Sequence, residues 1–149
     1  MKQSMPSAAD AGAGFALRIE RSMAGLGELG GWVDTITAAL GLDAAADYAL
    51  RLCAEEAAAN VVMHGETNGK GDAGFVALRV EPVADAMRLT IEDHCGAFDP
   101  LRAPAPAVPA SLGDARVGGL GIHLMRQYSR AISYERVGDM NRLTLTIGR

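Results

Sequence analysis

The sequence predicts an α+β two-layer sandwich, and three observations predict it. Short segments with strict apolar alternation flank longer segments with helical period. Two pairs of these alternating segments are separated by only a few turn residues, so they read as antiparallel hairpins. The resulting order is strand, helix, helix, strand, strand, lid, helix, strand, strand, which places the helices over one face of a single sheet. At 149 residues the chain fits one domain with a core of its own, without disulfides or metals.

The elements follow in order. Residues 1–14 are small and polar and read as a disordered leader to a domain spanning 15–149. FALRIE, 15–20, alternates like a half-buried strand. Ser22 is placed to cap one helix whose apolar positions Leu26, Leu29, Val33, Ile36 and Leu40 keep helical spacing up to Gly41. Asp43 caps a long helix that stops at Gly65, and GETNGKGDAG is turn chemistry throughout. GFVALRVEP and DAMRLTIED form an antiparallel pair around a short Pro-Val-Ala-Asp connection. From about 99 to 118, with prolines at 100, 104, 106 and 109, the chain has no apolar period, as expected of a lid or a disordered insert. GGLGIHLMRQY opens a short helix with glycines, and RAISYERV-GDMN-NRLTLTIG closes the chain with a second hairpin.

Bulk properties exclude several functions. A net charge of −4 argues against nucleic acid and against an anionic membrane surface as partners, so a phosphate ligand would have to be held by local geometry. Cys53 and Cys95 are too few for a disulfide framework or a zinc site and read as small buried residues. No signal-peptide core and no run of about 18 apolar residues is present, from which a cytoplasmic location is expected.

Three segments carry candidate chemistry. In LCAEEAAANVVMHGE, residues 52–66, Glu56, Asn60 and His64 are four apart and drift only about 40° per step, so they share one helix face, while Glu55 points elsewhere. Such a stripe is either solvated or lines a site. LTIEDHCGAFDP, 89–100, delivers Glu92 and Asp93 to a strand end, where a carboxylate can accept from the amino group of a flat heterocycle or simply start a turn. GGLGIHLM, 118–125, puts glycines before a helix, whose unpaired N–H groups suit a phosphate, although an ordinary loop-to-helix turn has the same spelling. Two other glycine patterns mislead. GLGELG spells a dinucleotide fingerprint but runs from helix to helix, and GETNGKG is one residue short of a P-loop, with Gly71 where Ser or Thr would stand.

Taken jointly and in this order, the three segments resemble the N, G1 and G2 boxes of the GHKL superfamily of Bergerat-fold ATPases, and most of all the anti-sigma-factor serine/threonine kinases. The resemblance covers about 15–149 and implies a mixed, mostly antiparallel sheet covered on one face by about three helices. It also implies ATP and Mg2+ as ligands. Position by position, it makes Glu56 the general base, Asn60 the magnesium ligand and Asp93 the acceptor from the adenine amino group. Gly96 belongs to the G1 box, and Gly118, Gly119, Leu120, Gly121 and Ile122 form the phosphate-flanking segment, with Arg116 and Arg126 as nearby helpers. The implied partners are an anti-sigma-factor antagonist as protein substrate, a competing sigma factor, and a second copy of the chain.

Departures in the G1 box and at residue 63 qualify the match. Where the family writes Asp-x-Gly-x-Gly or Asp-x-Gly-x-Pro, this chain has Asp93, His94, Cys95, Gly96 and Ala97. A positive φ at Cys95 would cost about 1 to 2 kcal/mol unless Gly96 takes over by a one-residue shift. Met63 stands where relatives often place a lysine or arginine, and His64 closes the helix face without a second ligand beside it. The main rival is a binding module that uses nucleotide without transferring phosphate. A histidine-kinase ATP-binding half is the other, disfavoured because His64, His94 and His123 all lie inside the nucleotide domain.

Overall fold

The computed structural model describes residues 14–65, 74–102 and 120–149. Strand β1 (Phe15–Glu20) leads into helices α1 (Met23–Leu26), α2 (Leu29–Leu40) and α3 (Ala44–His64). The hairpin of β2 (Phe75–Val83) and β3 (Ala86–Asp93) follows, then a 3-10 turn at Pro100–Arg102, helix α4 (Leu120–Tyr128), and the hairpin of β4 (Ala131–Val137) and β5 (Met140–Gly148). The five strands lie in the order β1-β2-β3-β5-β4. Every neighbouring pair is antiparallel, so the sheet is not mixed. The excursion through α4 returns β4 in the same direction as β3, but β5 lies between these two, so no parallel strands are neighbours.

Alternation sets the two faces. Phe15, Leu17 and Ile19 of β1 and Leu143, Leu145 and Ile147 of β5 are buried under the helices. The opposite face carries Arg18, Arg79 and Arg88, all exposed. Helix α3 supplies Ala46, Ala49, Leu50, Cys53, Ala54, Ala57 and Ala58 to the core, mostly side chains small enough to bring its axis close to the sheet. Asp43 caps it by accepting from Ala46 N at 2.8 Å. Arg51 then ties it to α2, donating to Asp34 at 2.7 Å and to Gly30 O at 3.2 Å.

The single helix expected after Ser22 is two. Ser22 Oγ does accept from Gly25 N at 3.1 Å, but α1 ends at Gly27, whose N–H turns back to Ala24 O at 3.2 Å. Gly25 is packed so tightly onto β1 that a Cβ there would lie 2.0 Å from Glu20 O. Glycines this close together weaken helix continuation, and the sheet contact decides where the break falls. Helix α2 ends as expected at Gly41, which takes φ 63°. In the first hairpin Pro82 and Val83 belong to β2, leaving a tighter turn at 84–85 with Ala84 at φ 54°. Residues 1–13, 66–73 and 103–119, which include the expected leader, most of the glycine-rich turn and most of the expected lid, lie outside the described residues.

Candidate active site

Between α3, the end of β3 and the start of β5 lies a cleft holding about 450 Å³ of open space. Its walls are apolar, from Ala57, Val61, Ile91, Pro100, Tyr134 and Leu143, and its polar side chains are Asn60, Asp93 and Asn141. Gly96 also lines it. A flat, largely apolar ring with a few polar edges matches such a lining.

Asp93 is the deepest carboxylate, 7 % exposed at the inward-facing last position of β3. Strand alternation separates it from Glu92, which points to the outer face and pairs with Arg142 at 3.0 Å. Asp93 Oδ1 accepts from Cys95 N at 3.0 Å and from Asn141 Nδ2 at 2.9 Å. The Cys95 thiol also hydrogen-bonds to Asp93, and burial together with the Asp93 charge pushes that thiol up to about 11, which keeps it protonated as a donor. A carboxylate offers roughly four acceptor positions, so these three donors leave it able to take one more from the cleft.

The loop after β3 corrects the expectation of strain. Among the described residues only Ala84 is a non-glycine with positive φ, and Gly96 is not in the left-handed region either. Neither a cost at Cys95 nor a shift to Gly96 is needed.

On α3, Glu56 and Asn60 are half-buried and Glu55 is exposed. Asn60 lines the cleft, whereas Glu56 lies one turn back, against α4. A Cβ added at Gly121 would lie 2.6 Å from Glu56 Oε2, so only glycine at this position leaves the carboxylate its place beside the first turn of α4. Desolvation, with a smaller contribution from the neighbouring Glu55 charge, raises the Glu56 pKa above the ordinary glutamate value. A carboxylate so disposed is a stronger proton acceptor than one in water.

The remaining expectations divide. Ile122 is 9 % exposed and packs into the hydrophobic core, so its side chain is structural and does not line the cleft. Leu120 begins α4, while Gly118, Gly119 and Arg116 lie outside the described residues. Arg126 donates to Leu101 O at 3.2 Å and thereby ties α4 to the 3-10 turn. His64 stacks on Phe98 with ring centroids 6.3 Å apart, and Met63 is 65 % exposed.

Sequence reasoning missed Asn141. It faces Asp93 across the β3–β5 ladder, is 5 % exposed, and bonds to the carboxylate and to Gly96 O at 3.0 Å. The available signal was an asparagine at an inward position of an otherwise apolar strand, where a polar side chain is disfavoured without a partner.

An α/β sandwich with a helix-borne Asn and a strand-end Asp lining one cleft, and a Glu on the same helix face against a glycine-bearing helix beside it, is of the ATPase class the sequence resembles. Residues 19–147 match the histidine kinase-like ATPase domain, and the chain belongs to that family. It is 41 % identical over 99 residues to serine/threonine-protein kinase BtrW of Bordetella bronchiseptica, covering 66 % of this chain and 68 % of that protein. The fold is also that of a chain in the crystal structure of the SiaB-SiaC complex from Pseudomonas aeruginosa, with a TM-score of 0.59, 14 % identity, and coverage of 89 % of this chain and 88 % of that one. Among the described residues no helix is long and apolar enough to cross a membrane.

Proposed function

We propose that this ATPase-domain protein is an anti-sigma-factor-type serine/threonine kinase that binds ATP with Mg2+ and phosphorylates an anti-sigma-factor antagonist. The observation that carries the reading is the placement of Glu56: one helical turn from Asn60 and pressed against the start of α4, beside a cleft bounded by Asp93. The site chemistry fits both ligands. A buried acceptor among apolar walls suits an aminopurine, and a neutral amide oxygen suits a hard cation that keeps most of its waters.

When bound, magnesium ATP supplies the phosphoryl group and the neutralisation of its charge. Asp93 accepts from the purine amino group, and Ala57, Val61, Ile91 and Leu143 keep water from the ring. Asn60 would hold the metal through its side-chain oxygen. Glu56 would accept the proton of the partner's serine or threonine hydroxyl as that oxygen bonds to the γ-phosphorus and the bond from that phosphorus to the bridging oxygen breaks, releasing ADP, and its raised pKa suits it to do so. A competing sigma factor, a homodimer and a cytoplasmic location extend the same reading.

The test is incubation with γ-labelled ATP and candidate antagonist domains. Label on an antagonist serine or threonine is expected with the wild type and not with Glu56→Ala, which still binds nucleotide. Nucleotide binding without any transfer to an antagonist would instead establish a sequestering module.

A further inference from the structure

Asn141 is buried on the same face of β5 as Leu143, Leu145 and Ile147, and every other position of that row is aliphatic. A buried amide is costly unless both its ends are paired, so its presence in this row requires an explanation beyond packing. Its Nδ2 donates to Asp93 Oδ1 at 2.9 Å and to Gly96 O at 3.0 Å, with a longer approach of 3.5 Å to Cys95 O. Its Oδ1 accepts from the Tyr134 hydroxyl at 2.5 Å, from Arg136 Nη1 at 3.1 Å and from Phe98 N at 3.3 Å. Arg136 Nη1 reaches Cys95 O as well, at 2.8 Å. One side chain thus joins the carboxylate, the loop 95–98 and the β4 strand.

We infer that Asn141 is a specificity-positioning residue, which orients the Asp93 carboxylate and holds loop 95–98 in place as a preformed edge for the purine, with Tyr134 and Arg136 bracing it from β4. The inference rests on the adenine-nucleotide reading of the cleft and deepens it. The family's glycines are replaced here by Cys95 and Ala97, and the side-chain web fixes a loop that carries fewer of them. Both amide ends are engaged, so the carboxylate is held before any ligand arrives, and ordering it on binding costs little. Arg136 acts through Asn141 and the loop, whereas Tyr134 also forms part of the cleft wall with its ring and braces Asn141 with its hydroxyl, the one group that Tyr134→Phe removes.

The experiment compares ATP with inosine triphosphate, which carries an oxo group in place of the amino group, in the wild type, in Asn141→Leu and in Tyr134→Phe. The wild type is expected to favour ATP by about tenfold or more, the scale of one charge-assisted hydrogen bond. Asn141→Leu keeps the apolar bulk and is expected to lose about tenfold in ATP affinity with little change for inosine triphosphate, so that base preference collapses. The rate of transfer at saturating ATP stays near wild type while KM rises, because the Glu56 end is untouched. Tyr134→Phe removes one brace and is expected to lose a smaller part of the preference. A selective wild type with an equally selective Asn141→Leu would overturn the positioning role. A wild type that binds both nucleotides alike would overturn the adenine reading of Asp93 instead. Should Asn141→Leu not fold, Tyr134→Phe decides, and an unaltered preference there overturns the inference.

Discussion

The β3 end of the cleft and the α3–α4 contact beside it are built on opposite principles. At the β3 end, Asp93 is held by three donors, Cys95 through both N–H and thiol, and Asn141, itself braced by Tyr134 and Arg136, with one acceptor position left toward the cleft. At the α3–α4 end, no described residue donates a hydrogen bond to the Glu56 carboxylate, which is partly desolvated and sits beside a second negative charge. A carboxylate held by several donors is fixed in place and stabilised as an anion. An unpaired, desolvated one is destabilised as an anion and gains by taking a proton. In the proposed reading, the paired carboxylate would serve recognition and the unpaired one the chemistry.

The largest expected effect comes from removing the reactive carboxylate. Glu56→Gln should lower phosphoryl transfer by about 10²- to 10⁴-fold, the scale of general-base catalysis, with ATP affinity near wild type in a filter-binding assay. The same variant should be more stable than wild type at neutral pH. Because the folded-state pKa of Glu56 lies above its unfolded value, the two proteins should match below about pH 4, the unfolded glutamate range, and wild type should lose ground as pH rises through the folded value. Thermal unfolding followed across pH would read this sign directly. A stability difference that shrinks with rising pH would break the contrast between the two ends.

Asp93→Ala should act in the opposite sense. It removes the acceptor and orphans the donors around it, so nucleotide affinity and unfolding free energy should both fall, the latter by about 1 to 3 kcal/mol in denaturant titrations. Asn60→Ala should weaken only the magnesium-dependent part of ATP binding, by about tenfold in a titration with and without the metal. Gly121→Ala would place a Cβ against the flexible end of Glu56, so it should cost less than about 1 kcal/mol of stability yet lower transfer by displacing the carboxylate. An unchanged transfer rate in that variant would show that the position of Glu56 beside α4 is irrelevant to the reaction.

Much of this arrangement was legible in the chain. The i, i+4 spacing of Glu56 and Asn60 fixes a shared face in any α-helix, and strand alternation alone commits Asp93 and Glu92 to opposite sides. Local rules of this kind need no tertiary knowledge. The split between α1 and α2 was not readable, because it depends on how closely Gly25 approaches Glu20 O, a contact set by sheet position. Asn141 was missed for a related reason. Its partners Asp93 and Gly96 are more than forty residues away and meet it only through the β3–β5 register. The strain expected at Cys95 was read from the identity of the missing glycine, but the loop instead turns through hydrogen bonds to Asp93 and takes no positive φ. Sequence spacing revealed the chemical end more readily than the recognition end, since the first rests on one helix and the second on three strands and a loop.

A crystal structure with magnesium and a non-hydrolysable ATP analogue tests the division most directly. The account predicts the purine amino nitrogen about 3 Å from the Asp93 carboxylate, the metal on Asn60 and the terminal phosphate on the Glu56 side of the cleft near the start of α4. A nucleotide seated elsewhere, or in this cleft with its phosphates toward Asp93, would contradict it.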